Sequence, residues 1–308
     1  MHVSICVITY MRPEGLTRLL TGLDALQFKR ISQPTVEVVL VDNDVNESAR
    51  KIYEKFKGGF KYQLNYVVEP QRGISYARNR SVKEACSGTD FIAFIDDDEV
   101  PKADWLEELL IVQEEYSADV VHGRVIPDFS NDAPPWVRRG SFFEPGRHDT
   151  GSDVEAAYTN NSLTRAALIC NKQNVFDERF ALTGGEDSYF FRTLHHNGAK
   201  LVWADEAIVH ESIPNSRTTA KWILMRAYRS CLTYTIWEKE VKASIATRLL
   251  AFVKAIVQIL IGSLILPFVL FLGKSAIVNA LLYIYKGAGR LSGLANIKYK
   301  EYKAIHGS

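Results

Sequence analysis

At 308 residues the chain is long enough to bury one large α/β core or two smaller ones. Its formal charge of +1 hides an asymmetry: thirteen Lys and Arg against three Glu between Lys221 and Ser308 make +10, which leaves −9 on residues 1–220. An acidic front half speaks against a nucleic-acid partner, and Cys6, Cys86, Cys170 and Cys231, far apart and without CxxC spacing, speak against a zinc site or disulfide framework and for a reducing compartment. No secretory pattern opens the chain, since the short apolar run Val3 to Tyr10 is followed at once by Arg12 and Pro13.

Short apolar runs alternate with helical patterns through the first 120 residues, the pattern of a parallel sheet with helices on both faces. Val3–Tyr10, Val36–Asp42, Leu64–Glu69 and Phe91–Ile95 read as strands. Leu16, Leu19, Leu20, Leu23 and Leu26 recur at helical spacing, and Asn46 is expected to cap the helix after the second strand. Ligands bind such sheets at the carboxyl ends of the strands, where Thr9, Asp42, Asp44 and Arg72 fall. Beyond residue 125, Pro127, Pro134, Pro135 and the stretch 140–151 predict a long irregular loop. A helix from about Glu186, a strand Lys200–Val209, a helix Thr218–Trp237 and a strongly apolar tail Leu249–Tyr285 follow. No internal repeat or low-complexity segment is present.

The most informative stretch is Phe91–Val100, where an apolar strand runs into Asp96, Asp97, Asp98 and Glu99. Four like charges repel one another and suit a strand poorly, so their clustering points to a hard divalent cation, Mg²⁺ or Mn²⁺, with oxygen ligands. The plainer alternative is an acidic turn in front of a helix starting at Pro101. The i, i+2 spacing of Asp96 and Asp98 is expected to turn both to one side, one toward a metal and the other toward a ligand hydroxyl. Gly184 and Gly185 lead into Glu186 and Asp187 at a helix start, which reads either as a cap or as a general base accepting a proton from an incoming hydroxyl. His210, expected to close the strand Lys200–Val209, reads as a metal ligand or as a structural histidine, whereas His195 and His196 suit the last carbonyls of their helix.

The ordered motifs Val3–Tyr10, Val41-Asp-Asn43, Gly73–Asn79, Phe94–Asp98, Thr159-Asn-Asn161, Gly185-Glu-Asp187 and Arg192 together resemble the family 2 glycosyltransferases of GT-A fold, and more narrowly the succinoglycan-type exopolysaccharide enzymes of bacteria. The resemblance covers about residues 3–240. It implies a Rossmann-like mixed sheet with helices on both faces, a nucleotide-sugar donor linked to UDP, and a lipid-linked or glycan acceptor. It also implies residue roles. Thr9, Arg12, Asp42, Arg78, Asp96 and Asp97 would bind the nucleotide sugar, with Asn79 near the same pocket. Asp98 and His210 would meet the metal, Asp187 with Glu186 would supply the base, and Asn161, Arg192 and Arg217 would lie toward the acceptor. Asp42-Asn-Asp44 departs from the two adjacent acids and a serine that many relatives carry, which leaves Asp44 without an assigned role.

The expected division is a catalytic domain at 1–215, amphipathic linker helices at 216–248 and an apolar, basic, membrane-associating helical tail at 249–308. Ala255–Leu272 is uncharged over a length at the short limit for a bilayer span and is interrupted by Pro267. Basic flanks at Lys239, Lys242 and Arg248 and from Lys286 to Lys303 favour a hairpin dipping into the cytoplasmic leaflet over a single span or a buried oligomer interface. The predicted location is therefore the cytoplasmic face of the inner membrane, with an oligomer allowed. Competing readings are a noncatalytic scaffold of a polysaccharide assembly complex, a phosphatase using a DxD nucleophile, and a nucleotidyltransferase. The phosphatase motif belongs on a first strand, and the glycine-rich phosphate loop of the nucleotidyltransferases is replaced here by Met11-Arg-Pro-Glu14. A scaffold is expected to lose Asp98 or Asp187, and both are present.

Overall fold

The computed structural model describes residues 1–144 and 146–297. The chain groups into two compact units, one of residues 1–128 and 146–212 and one of residues 129–144 and 213–297.

The first unit opens as expected, with β1 (His2–Thr9), α1 (Pro13–Asp24), β2 (Thr35–Asp42), α2 (Arg50–Phe56), β3 (Gln63–Val68), α3 (Ile74–Ala85) and β4 (Phe91–Ile95). It continues with β5 (Glu99–Pro101), α4 (Trp105–Tyr116), β6 (Val120–Phe129), β7 (Asn161–Arg165), α6 (Glu186–His196) and β8 (Leu201–Ile213). Among the described residues the strands make one eight-stranded sheet in the order β3-β2-β1-β4-β7-β6-β8-β5. β1, β2, β3 and β4 pair in parallel, whereas β7 runs antiparallel to both β4 and β6, and β5 antiparallel to β8. Alternation along the strands makes two cores. Ile5, Val7, Val38, Leu40, Ala93 and Ile95 pack with the leucines of α1 and with Trp105 of α4; Cys6, Val39, Val41, Ile92 and Phe94 pack with α3 and α6. The helices therefore cover both faces. Each fully buried Leu of α1 contributes about 1.5–3 kcal/mol.

Four expectations are corrected. Asn46 caps nothing: it donates to Asp44 through its backbone and side-chain N–H groups, and α2 begins later, behind Ala49. Pro101 ends a short strand instead of opening a helix, because residues 99–101 pair with β8. β6 continues through Pro127 to Phe129, so the irregular stretch begins later than the proline count suggested. β8 runs four residues past Val209, which puts His210 inside the strand opposite Val100.

A further correction concerns the cysteines. Cys86, at the end of α3, and Cys170 form a disulfide across 84 residues, with Cα atoms 5.4 Å apart, while Cys6 and Cys231 are free. Sequence spacing carried no sign of this, because the antiparallel pairing of β4 with β7 delivers residue 170 to α3. The cysteine pattern thus gives no reading of the redox compartment.

The second unit comprises α5 (Pro135–Arg139), α7 (Ala220–Val241), α8 (Ile245–Val269) and α9 (Lys274–Leu294), with a core of Val137, Phe143, Ile213, Ile223, Leu224 and Val278. Thr219 and Ser244 cap α7 and α8 by accepting from the N–H groups of Trp222 and Thr247. Residues 298–303, the last part of the expected basic flank, lie outside the described residues. α8 and α9 form an antiparallel pair that approaches closely at glycines. A Cβ on Gly262 would lie 2.7 Å from the Ala280 carbonyl, and one on Gly287 2.6 Å from that of Ala255. α9 meets α7 the same way, since a Cβ on Gly289 would collide with the Tyr228 carbonyl. Of the described helices α8 alone is long and apolar enough to cross a membrane, with a mean hydropathy of 2.4 in its best window and only 17% of that window buried.

Gly289→Val is expected to force α7 and α9 apart at a cost of about 1–3 kcal/mol. Limited proteolysis should then cut within 220–294 faster than in the native chain; unchanged cutting would mean that the helices do not depend on this contact.

Candidate active site

The carboxyl ends of four parallel strands align. Thr9 pairs with Asp42, Asp42 with Val68, and Cys6 with Phe94, so the ends of β1 and β4 are neighbours. The chain winds from β1 to β2 and β3 on one side, then returns to place β4 on the other. This is the switch point at which open α/β sheets leave a ligand crevice.

The acidic run occupies that crevice as a turn. The Asp96 N–H donates to a Glu99 carboxylate oxygen at 3.0 Å and the Glu99 N–H to the Asp96 carbonyl at 3.2 Å. Strand alternation therefore does not govern the four side chains; cations sort them. Arg12, just before α1, donates to Asp97 at 2.8 Å and to Asp98 at 3.0 Å, and Thr9 Oγ1 donates to Asp97 at 2.7 Å. Burial alone would lower the Arg12 pKa, but Asp97 and Asp98 outweigh it and raise it. Burial pushes the Asp97 carboxyl up to about 6 against the pull of Arg12, with Asp98 adding to the rise.

The second cation is Arg78 of α3, buried in the core. It pairs with Glu186 and donates to Asp96 at 3.0 Å. Glu186 is fully buried, and its second carboxylate oxygen has no hydrogen-bond partner among the described residues. Asp187, one residue on, is half-buried, and its carboxylate accepts from the Ser188 N–H. Burial raises the Asp96 pKa, Arg78 opposes this, and the charges of Asp98 and Asp187 add to it. Asp187 is thus an electrostatic neighbour of the turn. Two successive residues with positive φ, Gly184 at 73° and Gly185 at 91°, make the sharp entry into α6 that glycine tolerates.

α3 also fixes the approach to α6. Asn79 donates to the Phe176 carbonyl at 2.8 Å and accepts from the N–H groups of Val175 and Phe176, Ser75 donates to the Asp177 carbonyl at 2.9 Å, and the Ile74 N–H donates to that of Ala181 at 2.9 Å. At the β2 end, Asn43 staples the following loop by donating to the Glu69 and Gln71 carbonyls and accepting from the Gly73 N–H. Asp42 accepts from the Asp44 and Ala49 N–H groups, Ser48 and Tyr66.

The family model described as Glycosyl transferase family 2 matches residues 4–171. The chain belongs to this family. It is 34% identical over 236 residues to the succinoglycan biosynthesis protein ExoM of Rhizobium meliloti (strain 1021), covering 76% of this chain and 74% of that protein. It is 26% identical over 247 residues to a glucosyl-dolichyl phosphate glucuronosyltransferase of Haloferax volcanii, at 74% coverage of each. The crystal structure of S. aureus TarS 1–349 in complex with UDP matches 99% of this chain and 94% of that one, with a TM-score of 0.55 at 16% identity. The fold of this family 2 glycosyltransferase is GT-A, and the chain is an enzyme of glycan biosynthesis.

The crevice of the glycosyltransferase gathers Thr9, Arg12, Arg78, Asp96, Asp97, Asp98, Glu186 and Asp187. His210 arrives on β8. Its register opposite Val100, with the Ser212 N–H donating to the Asp98 carbonyl at 2.9 Å, sets it on the strand alongside the acidic turn. Asn161 is spent on the core: it accepts from the Trp105 indole at 2.7 Å and donates to the Arg124 and Ala207 carbonyls. Asp42 is likewise occupied by its own loop. Arg192 lies partly buried on α6, and Arg217 belongs to the helical unit, over the Trp222 ring. Among the described residues no group of three or more His, Cys, Asp or Glu is arranged to hold a metal ion. The oxygen donors of Asp96 and Asp98, in a turn where burial and then neighbouring negative charge raise the Asp96 and Asp97 pKa values, nonetheless have the chemistry that Mg²⁺ or Mn²⁺ takes. Sequence reasoning missed the employment of Asn79 and Asn43 as staples and of Glu186 as the partner of Arg78.

Arg78→Met leaves Glu186 buried without a cation and is expected to destabilise the fold by about 3–5 kcal/mol, measured by denaturant unfolding. Arg78→Met with Glu186→Leu should recover much of that loss; failure to recover would mean that Arg78 stabilises mainly through other contacts.

The raised Asp97 pKa also has a sign. Its ionised form is penalised on folding, so this group destabilises above about pH 6 and the penalty disappears as pH falls through 6 toward 4. Asp97→Asn should therefore be more stable than the native chain at pH 7, by at most about 3 kcal/mol, with the advantage shrinking by pH 4. Melting curves across that range check it, and a pH-independent difference would place the Asp97 pKa near its ordinary value.

Proposed function

We propose that the protein is a metal-dependent, inverting hexosyltransferase that moves a sugar from a UDP-linked donor to a lipid-linked or polysaccharide acceptor at the cytoplasmic face of a membrane. The observation that carries this reading is the sharing of Arg78 between Asp96 and Glu186, because it joins the acidic turn to the helix start that bears Asp187. UDP in the TarS complex, and the dolichyl phosphate in the name of the Haloferax relative, support the donor and acceptor classes.

In this reading Asp187 is the general base. Glu186, buried against Arg78, serves as that arginine's counter-ion and holds Asp187 at the crevice. Asp187 takes the proton of the acceptor hydroxyl as its oxygen attacks the anomeric carbon from the face opposite the leaving diphosphate. One displacement inverts the configuration, and no carboxylate nucleophile is needed. Thr9 and Arg12 order Asp97 and Asp98 for the donor, while Asp42 shapes the loop beside the nucleotide. Asp96, Asp98 and His210 are the residues that would hold Mg²⁺ or Mn²⁺, which when bound neutralises the diphosphate. Catalysis falls within residues 1–215. The exposed apolar surface of α8 supports membrane association through the tail.

Turnover of a panel of nucleotide sugars, with and without Mn²⁺, tests the activity. Asp187→Asn should retain donor affinity while kcat falls by roughly 10²–10⁴. Asp98→Ala should abolish transfer and the Mn²⁺-dependence of UDP-sugar binding measured by calorimetry. Intact turnover in Asp187→Asn would exclude it as the base, and full metal-dependent affinity in Asp98→Ala would exclude Asp98 as a ligand.

A further inference from the structure

The helical unit holds a cavity of about 320 Å³ that the reaction above does not use. It lies between α7, α9 and residues 140–142, all within that unit. Its lining has two cations, Arg226 from α7 and Lys286 from α9, together with Trp222, Ser230, Asn279 and Ser141. Both cations are exposed, and among the described residues neither has a carboxylate partner. In the same unit Glu238 already faces Arg290 at 3.7 Å. Arg226 lies over the rings of Phe143 and Trp222, 5.8 and 5.5 Å from their centroids, so its guanidinium is held on an aromatic platform made by the stacked Phe143–Trp222 pair. The Trp222 indole N–H is buried and has no acceptor among the described residues.

From these features we infer that the cavity is a binding site for the phosphate headgroup of an anionic membrane lipid. The charge complement is two cations against one phosphate, with the hydroxyls of Ser141 and Ser230 and the amide of Asn279 in the same lining to donate to its oxygens. The acyl chains have a matching surface in the same unit. α8 packs on α9, and leaves Leu249, Leu260, Leu264 and Phe268 exposed. A soluble phosphate ester would use the cations and leave that apolar surface uncovered, which is why a lipid is the better occupant. The site gives the tail a preference for anionic lipid over neutral lipid, beyond the general attraction of its basic flanks.

The inference rests on membrane association through the tail, and the experiment separates the two. Co-sedimentation of the full chain is measured with phosphatidylcholine vesicles and with vesicles also containing phosphatidylglycerol. The double variant Arg226→Gln, Lys286→Gln is compared with Lys242→Gln, Lys254→Gln, which removes the same charge from the unit outside the cavity. Both are first checked for native melting. Each basic residue near an anionic surface contributes roughly five-fold to binding, so both variants lose some affinity for phosphatidylglycerol vesicles. The cavity variant should lose at least about five-fold more than its control, with binding to neutral vesicles unchanged. Equal losses in the two double variants would overturn the site while leaving membrane association intact. Absence of binding to either vesicle would overturn both. Inorganic phosphate at equal concentration that abolishes the preference as well as a short-chain phosphatidylglycerol does would reassign the cavity to free phosphate and overturn the lipid assignment.

Discussion

Two guanidinium groups hold the carboxylates at the end of β4, and the arrangement of the first unit depends on them. Arg12 serves Asp97 and Asp98; Arg78 serves Asp96 and Glu186. Glu99 is buried beside them with no cation partner among the described residues, and burial together with Asp96 and Glu211 holds its pKa well above the usual carboxylate range. Negative charge therefore exceeds positive charge in the crevice. Folding tolerates this because each arginine carries two acids and because some of the carboxyl groups are easily protonated. The surplus is what a divalent cation would relieve, so an electrostatic cost of folding and the proposed metal requirement have one origin.

The same constraint explains the role of α3. Its Arg78 must reach both the acidic turn and the start of α6, which demands that residues 175–186 be held against it. Asn79, Ser75 and Ile74 supply that hold through hydrogen bonds to the backbone of residues 175–181, and the disulfide from Cys86 to Cys170 closes the far end. A helix that looked like a nucleotide-binding element in the sequence is thus also the clamp between the two halves of the crevice. The glycine pair before Glu186 lets the chain turn from that clamp into α6 and leaves Asp187 half-exposed while its neighbour is buried.

The helical unit follows different physics. Its helices approach closely at glycines, which bring backbone carbonyls into the contact beside the apolar side chains Ile223, Leu224 and Val278. α8 correspondingly keeps most of its apolar side chains outward. Apolar length read from the sequence was a fair guide to α8 but undercounted α9, which extends through Gly287 and Gly289 to Leu294, because glycine lowers helix propensity without preventing a helix packed on both sides.

Local pattern by itself determined the first four strands, the leucine face of α1, the start of α6, and the acidic run and glycine pair that mark the crevice. These are encoded by neighbours within one or two turns, where side-chain period and backbone preference act directly. Tertiary structure decided which charges meet. Arg12 finds Asp97 85 residues away, Arg78 finds Glu186 108 residues away, and Cys86 finds Cys170 across 84, all through the return of β4 and β7 to the middle of the sheet. It also decided what the polar side chains bond to. Asn161 and Asp42 carried the pattern of site residues, and in the fold Asn161 holds the Trp105 indole and two carbonyls, while Asp42 accepts from backbone N–H groups and from Tyr66. These bonds form only when the segments are packed together, and no local spacing records them.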